Sequence, residues 1–487
     1  MSAQNAASKQ PLIRFVNRQQ MSWRAVDVDK LVAQDHAARA IWALVGQLDL
    51  SRFYEEIASS AEEGGRPAFD PQMLISVWVY AYSQGIGSAR EVARRCEYDP
   101  AFQWLTGLQE VNYHTLADFR VGKQAELDEL FTQVLAALSK EGWIGLEQVM
   151  QDGTKIRALA SGRSFQCEDT LREHLERARQ CVAELADPHC EQARPARTRA
   201  RQRAQRERQQ RLEAALEELG RIQRAAKVST SDAQARFMKQ PDGGLAPSYN
   251  VQVSADAAHG VIVDLEVSQQ ANDSAELLPA VERIEQRLGR TPQQMVADGG
   301  YTTREAIQQM AERRIDFLGS LGRDLAGTGV TAPGRLPISA FEYVAERNRY
   351  RCPEGKWLYS DGRRREGAGA VYFHYRAKPE DCRSCPRKAH CCPGNRRSGR
   401  SVMRLEESPT VKAFREKMAT AEAQQQYRRR AQVIEFCYAW IKCKLGLRQF
   451  HVRGRKKVRA EALWACLTYN LQQWIRLRKL TPAAAAG

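Results

Sequence analysis

Apolar residues recur at helical spacing from Asp29 to about Glu141. Asp70-Pro71 supplies an N-cap followed by a first-turn proline, and the almost wholly apolar run Met73–Tyr82 leads to Gly85, which predicts a buried helix. Ser88 caps a shorter helix (SAREVARRCE), Asp99-Pro100 opens AFQWLTG, and His114-Thr115 opens HTLADFR. KQAELDELFTQVLAALSKEG then reads as a long amphipathic helix. Short helices with tight turns are what a helix-turn-helix DNA module uses, but short helices are common and a plain helical bundle is the more frequent source of them.

The period then changes. Ile144–Met150 predicts a strand leading directly to Asp152. From about Glu168 to Lys227 the chain is highly charged and helical, broken by Pro188 and Pro195, as in an inserted hairpin or arm. Tyr249–Ala255 and Val261–Val267 form a hairpin signature about Ala257–Gly260. Ser274–Leu288 reads as a helix, Gln294–Ala297 as a strand ending at Asp298, Thr303–Arg313 as a helix and Ile315–Leu321 as a strand. This order predicts an α/β fold, an RNase H-like mixed sheet with helices on its faces, interrupted by two insertions and preceded by an all-α domain. The expected divisions are 1–142, a helical domain, and 143–480, the domain built on this sheet. Within the latter, 157–247 is the charged helical insertion and 322–426 a Cys-bearing insertion with short aromatic strands. Tyr427–Lys444 and Ala460–Leu480 read as helices, and no repeat stands out.

Charge adds a partner to this outline. The 487 residues carry a formal +16, which favours a polyanion. Arg194–Arg211 holds eight Arg and one Glu, and Arg428–Arg459 holds eleven Lys+Arg and one Glu, so the excess is concentrated in two windows. Such concentration resembles a DNA footprint more than general solubility. The N-terminus MSAQNAASKQ has no apolar signal region, and the longest apolar run is about half of what spans a bilayer. The expected location is therefore cytoplasmic and reducing, associated with the nucleoid, where twelve Cys are more often thiols or metal ligands than disulfides.

Candidate chemistry lies in two clusters. In an RNase H-like sheet the middle strands end at one edge. Asp152 would follow the first strand and Asp298 the fourth, with Glu435 on the helix after the second insertion. Three such carboxylates can hold two divalent cations, Mg2+ by preference and Mn2+ as a substitute, for in-line phosphoryl displacement. Cys382 and Cys385 stand as C-x2-C, with Cys352 upstream and Cys391 beyond, a set that could hold a structural Zn2+. Cys392 and His390 remain open as the fourth ligand.

These residues, taken together, resemble the DDE transposases of bacterial insertion sequences over nearly the whole chain. The N-terminal stretch GRPAFDPQMLISVWVYAYSQGIGSAREVARRCEYDPAFQWLTG and HTLADFR is similar to the family's helical domain. DGTKI (Asp152–Ile156) looks like the first-Asp block and ADGGY (Ala297–Tyr301) the second. STSDAQARFMK and YNVQV are similar to blocks of one subgroup. Glu435 and Lys442 with GLRQFHVRG resemble the third-carboxylate block. The family's signature puts two, three and six residues between Tyr, Arg, Glu and Lys. Here four separate Arg430 from Glu435, which on an α-helix turns Arg430 by about 100°. Glu461, without a Lys partner, is the next acid in line.

The resemblance implies a transposase. Asp152, Asp298 and Glu435 would bind two Mg2+, and Lys442 would contact a phosphate near the cut. Water would free a 3′-OH at each transposon end, and that hydroxyl would attack target DNA. Arg448, Arg453, Arg455, Lys456, Lys457 and Arg459 would lie along double-stranded DNA, in a synaptic complex of a homodimer or higher. The rival classes are a catalytically silent, transposase-derived DNA-binding protein and an RNase H-like structure-selective nuclease. The Arg194–Arg211 arm could bind DNA, pair with another subunit or serve as an exposed helix.

Overall fold

The computed structural model describes residues 25–55, 67–185, 195–222, 227–321, 335–367, 370–392, 399–406 and 408–480, with Gln19, Met21 and Ile57. Residues 1–18 and the tip of the charged arm, with Pro188, Cys190 and Arg194, lie outside the described residues.

The helical region consists mainly of α1 (Ala37–Val45), α2 (Pro71–Ser83), α3 (Ala89–Tyr98), α4 (Pro100–Thr106), α5 (Tyr113–Gly122) and α6 (Gln124–Lys140). The capping signals act as read. Asp70 Oδ1 accepts from the Gln72 amide at 3.0 Å, Ser88 Oγ from that of Glu91 at 3.5 Å and Asp99 Oδ1 from that of Ala101 at 3.0 Å. Every α2 side chain from Met73 to Ser83 is buried, as expected of a helix apolar on all sides.

The main sheet contains β1 (Gln148–Arg157), β2 (Arg236–Lys239), β3 (Leu245–Asp256), β4 (Ile262–Ser268), β5 (Gln294–Ala297) and β6 (Asp316–Gly319). β3 runs antiparallel to β1 along one edge. Its other edge is shared by β2 and β4. β5 is parallel to β1, and β6 to β5. Between β1 and β2 the chain leaves as the hairpin α7 (Glu168–Leu185) and α8 (Pro195–Arg221), which has its own small core of Leu171, Leu175, Ala178, Leu212 and Ala215. α9 (Leu277–Leu288) joins β4 to β5, and α10 (Arg304–Glu312) joins β5 to β6.

The expected first strand is displaced. Ile144–Glu147 is not extended, and β1 runs on through Asp152 to Arg157. The reason is its partner. β3 is twelve residues long and pairs from Val149↔Asp256 to Arg157↔Ser248, so the polar DGTK stays in the ladder.

A second antiparallel sheet holds β7 (Glu342–Val344), β8 (Arg349–Arg351), β9 (Trp357–Gly367), β10 (Ala370–Ala377) and β11 (Ser401–Glu406) around Phe341, Tyr350, Leu358, Tyr375 and Val402. After α11 (Pro409–Met418), α12 (Ala421–Arg430) continues to Lys444 through two π-helical turns, Ala431–Glu435 and Trp440–Lys444. The last helix, α13, begins at Arg455 rather than Ala460 and ends at Leu480. One contiguous apolar core joins α1–α6, the main sheet, the 421–444 helix and α13. Among the described residues no helix is long and apolar enough to cross a membrane.

Candidate active site

β1 and β5 are in register at Gln151↔Ala297, and β5 ends there. The next residues on the two parallel strands are Asp152 and Asp298, so register alone sets these acids side by side at strand spacing, roughly 5 Å. Beyond Gln151 this edge of β1 is free of β5 until Arg157, where Gln449 bridges to it. The site lies along that open edge.

The 421–444 helix approaches from one face. Arg430 Nη1 donates to Asp152 Oδ2 at 2.7 Å, the Tyr438 hydroxyl to the Asp152 carbonyl, and Lys442 Nζ to Thr154 Oγ1. Asp152 Oδ1 accepts from the Gly153 amide at 2.8 Å, and Asp298 Oδ1 from that of Gly300 at 2.7 Å. Burial pushes the Asp152 carboxyl above the usual range; Arg430 opposes this and the charge of Asp298 adds to it. Burial, with Arg448 nearby, lowers the Lys442 ammonium.

The sequence spacing set Arg430 aside, but the fold brings it in. The extra residue between Arg430 and Glu435 falls in the π turn Ala431–Glu435, whose i→i+5 pattern takes up one residue. Arg430 therefore still faces β1. Glu435 is exposed and has no side-chain partner among the described residues. Its neighbours Ile434 and Tyr438 pack inward. Two of the three expected acids thus meet, and the third stands on the flanking helix outside their group. Among the described residues no three His, Cys, Asp or Glu side chains are grouped to hold a metal ion.

Glu461 has a different task. It is fully buried, accepts from the His451 backbone at 2.9 Å and from the His451 ring at 2.7 Å, and lies 3.7 Å from the buried Arg120.

On the opposite face of β1 the sequence reading missed Asp273 and its amide partners. Asp273, in the turn before α9, accepts from Asn250 Nδ2 and Gln252 Nε2, each at 2.6 Å, with Lys155 Nζ at 3.4 Å. The signal was the alternation Asn250, Gln252, Ser254 in YNVQVSA. It resembles a solvated strand face, yet all three are fully buried.

The basic segment runs past the same edge: the Arg157 amide donates to the Arg448 carbonyl at 3.3 Å, and that of Phe450 to the Arg157 carbonyl at 2.9 Å. Arg448, Arg453, Lys456 and Lys457 are exposed. Arg455 is exposed but stands 3.7 Å from Glu266. Arg459 departs from expectation. It is drawn inward to Asp128 at 2.9 Å and Glu266 at 3.1 Å, so its charge is neutralised within the fold. Arg201, Arg203, Arg206 and Arg208 of the arm are exposed.

Cys352, Cys382, Cys385, Cys391 and Cys392 gather at one end of the second sheet. Cys352 Sγ accepts from the Lys356 amide at 3.2 Å and Cys382 Sγ from that of Arg400 at 3.5 Å. Burial pushes the Cys391 thiol up to about 11, and Cys392, Cys382 and Cys385 add to this. As they stand, the thiols do not converge on a common point.

Residues 26–121 match the family model described as a transposase domain (DUF772), and residues 351–475 match the Transposase DDE domain. The second match contains Cys352, the other clustered cysteines, Arg430, Glu435 and Lys442; Asp152 and Asp298 precede it. No curated protein matches the chain. Two transposase models thus match the chain, in the order a helical domain and a catalytic block require, and together they support an insertion-sequence DDE transposase.

Proposed function

We propose that the chain binds the ends of its element as double-stranded DNA and catalyses their cleavage and strand transfer on an RNase H-like sheet. The observation that carries this reading is the meeting of Asp152 and Asp298 at the open edge of β1, ringed by Arg430, Lys442 and Lys155. Carboxylates among cations, beside an exposed basic segment, suit a phosphodiester.

The donor set at this edge fits a hard divalent cation: two carboxylates on adjacent strand ends, one of them raised by burial and further by the charge of the other. Asp152 and Asp298 would hold Mg2+ or Mn2+, with Glu435 as third ligand from the flanking helix. Bound there, two such ions would stabilise the attacking and leaving oxygens of an in-line displacement. Arg430 would exchange Asp152 for a DNA phosphate, and Lys442, released from Thr154, would contact the strand beside the cut. Water adds to phosphorus as the bond to the 3′ oxygen breaks, leaving a 3′-OH and a 5′-phosphate. The 3′-OH then attacks a target phosphodiester and displaces its 3′ oxygen. On paired ends the chain would act as at least two subunits. In the second sheet, Cys352, Cys382, Cys385 and Cys391, drawn together, would hold one structural Zn2+.

The test is cleavage and joining of end DNA in Mg2+ by the full chain, with Asp152→Ala, Asp298→Ala and Glu435→Ala measured separately. Each is expected to abolish both steps and leave end binding intact. Near-normal activity in any one removes that acid from the reading. Cleavage without joining would favour a structure-selective nuclease, and end binding without cleavage a silent DNA-binding protein.

A further inference from the structure

We infer that Asp273 is a positioning residue that holds the Lys155 ammonium at the open edge of β1, where it meets a phosphate of the bound strand. This rests on the transposase reading above and adds a second face to its site.

The carboxylate of Asp273 is built in. Its Oδ1 accepts from Asn250 Nδ2 and Gln252 Nε2, each at 2.6 Å. The direction of the Gln252 amide is imposed from behind. Its Oε1 accepts from Gln151 Nε2 at 2.9 Å and from the Tyr301 hydroxyl, so its nitrogen faces Asp273. Gln151 is turned in the same sense, since its own Oε1 accepts from Ser254 Oγ. Gln151, Gln252 and Ser254 are fully buried, so this chain of donors has one polarity and no competing water. It ends on a single carboxylate oxygen.

The backbone leaves room for that carboxylate. A Cβ at Gly153 would lie 2.6 Å from Asp273 Oδ1 and 2.4 Å from Gln252 Nε2, closer than side-chain carbons approach. A Cβ at Gly300 would lie 2.9 Å from Asp298 Oδ1 and 3.7 Å from Asp273 Oδ2. Asp273 therefore borders the space of the proposed second acid and is not a remote surface pair.

Lys155 is the group that Asp273 leaves incompletely bound. Its Nζ is 3.4 Å from Oδ1 and 3.5 Å from Oδ2, longer than a full charge-assisted bond, and it is 17% exposed. Strand alternation puts Lys155 with Gly153 on one face of β1, and Asp152 with Thr154 on the other. Arg430 and Lys442 approach the second face, and Lys155 stands on the first. A strand lying along the edge would then meet cations from both sides, and Asp273 fixes one of them at a small entropic cost.

The experiment uses the full chain, duplex end DNA and Mg2+, with Asp273→Asn, Lys155→Met and the double variant. Single-turnover cleavage is measured at saturating protein, together with melting temperature and the Mg2+ dependence. Each single variant is expected to cleave roughly 10- to 100-fold more slowly, the range for one charge-assisted contact. The double variant should be no slower than the worse single, and the Mg2+ dependence should not move. Additive losses, or near-normal cleavage by Lys155→Met, would overturn the inference. So would a raised Mg2+ requirement confined to Asp273→Asn, which would make the carboxylate a cation ligand. If Asp273→Asn fails to fold, the partly exposed Lys155→Met carries the test alone: it must slow cleavage with its melting temperature unchanged. A wild-type chain that does not cleave end DNA would refute the transposase reading instead, since every arm here is a ratio to wild-type cleavage.

Discussion

Glu461→Gln tests whether this acid is structural. Its carboxylate is fully buried and faces three groups: the His451 backbone, the His451 ring and the Arg120 guanidinium. Glutamine keeps the shape and one acceptor but removes the charge. Arg120 is 5% exposed and lies over the Trp78 ring at 4.7 Å, so water cannot replace the lost partner. Its bond to the Gly87 carbonyl, at 2.5 Å, remains. Breaking one side of a buried ion pair costs about 3–5 kcal/mol, a large share of a total stability of roughly 5–15 kcal/mol. The melting temperature, read by scanning calorimetry or circular dichroism, should fall by roughly 5 °C or more. Cleavage measured well below that temperature should persist. An unchanged melting temperature with cleavage abolished would refute this reasoning and make Glu461, not Glu435, the third acid.

Asp128 ties α6 to Arg287 on α9 and Arg459 on α13, at 2.8 and 2.9 Å. Burial raises its carboxyl, but the two guanidiniums outweigh burial and hold it below the ordinary value. Its contribution is therefore complete above the unfolded value near pH 4 and is lost as pH falls through the lower folded value. Asp128→Asn should cost about 1 kcal/mol at neutral pH, a figure discounted for partial exposure, and should flatten acid unfolding below roughly pH 4; an unaltered acid limb would contradict this. Chain purified without chelator should carry one Zn2+ by elemental analysis, lost in Cys382→Ser and Cys385→Ser; metal-free wild type would dismiss the site. Replacing Arg448, Arg453, Lys456 or Lys457 by Gln should each lower the log–log salt slope of end binding by about 0.9. Arg459→Gln should lower the melting temperature and leave the slope nearly alone, and the reverse pattern would be inconsistent with its inward pairing.

Much of the fold was legible because its signals are local. Ser88, Asp70-Pro71 and Asp99-Pro100 cap helices through bonds within four residues of themselves, and QMVA ends at Ala297 as read. β1 was misplaced because its extent is set by a partner about a hundred residues away, which the sequence does not display. Within the site, the Asp152–Asp298 pair follows from strand order. Arg430 did not, because spacing was converted to angle at the α-helical rate, and the helix changes to an i→i+5 pattern over Ala431–Glu435. Asp273 was missed because Asn250, Gln252 and Ser254 alternate as a solvated face would. Burial of both faces turns that alternation into a hydrogen-bonded network.

α13 is synthesised after every other described element, yet Trp464, Leu467, Tyr469 and Trp474 are among the most deeply buried side chains of the shared core. The helical region and the sheet therefore emerge from the ribosome with one wall missing. A product stopped before Arg455 would expose an apolar trough along α2, α6 and β4, of the kind that aggregates or draws chaperones and proteases. Premature termination upstream should therefore yield no stable fragment; on the proposed function, none would be left to compete with the full chain for transposon ends.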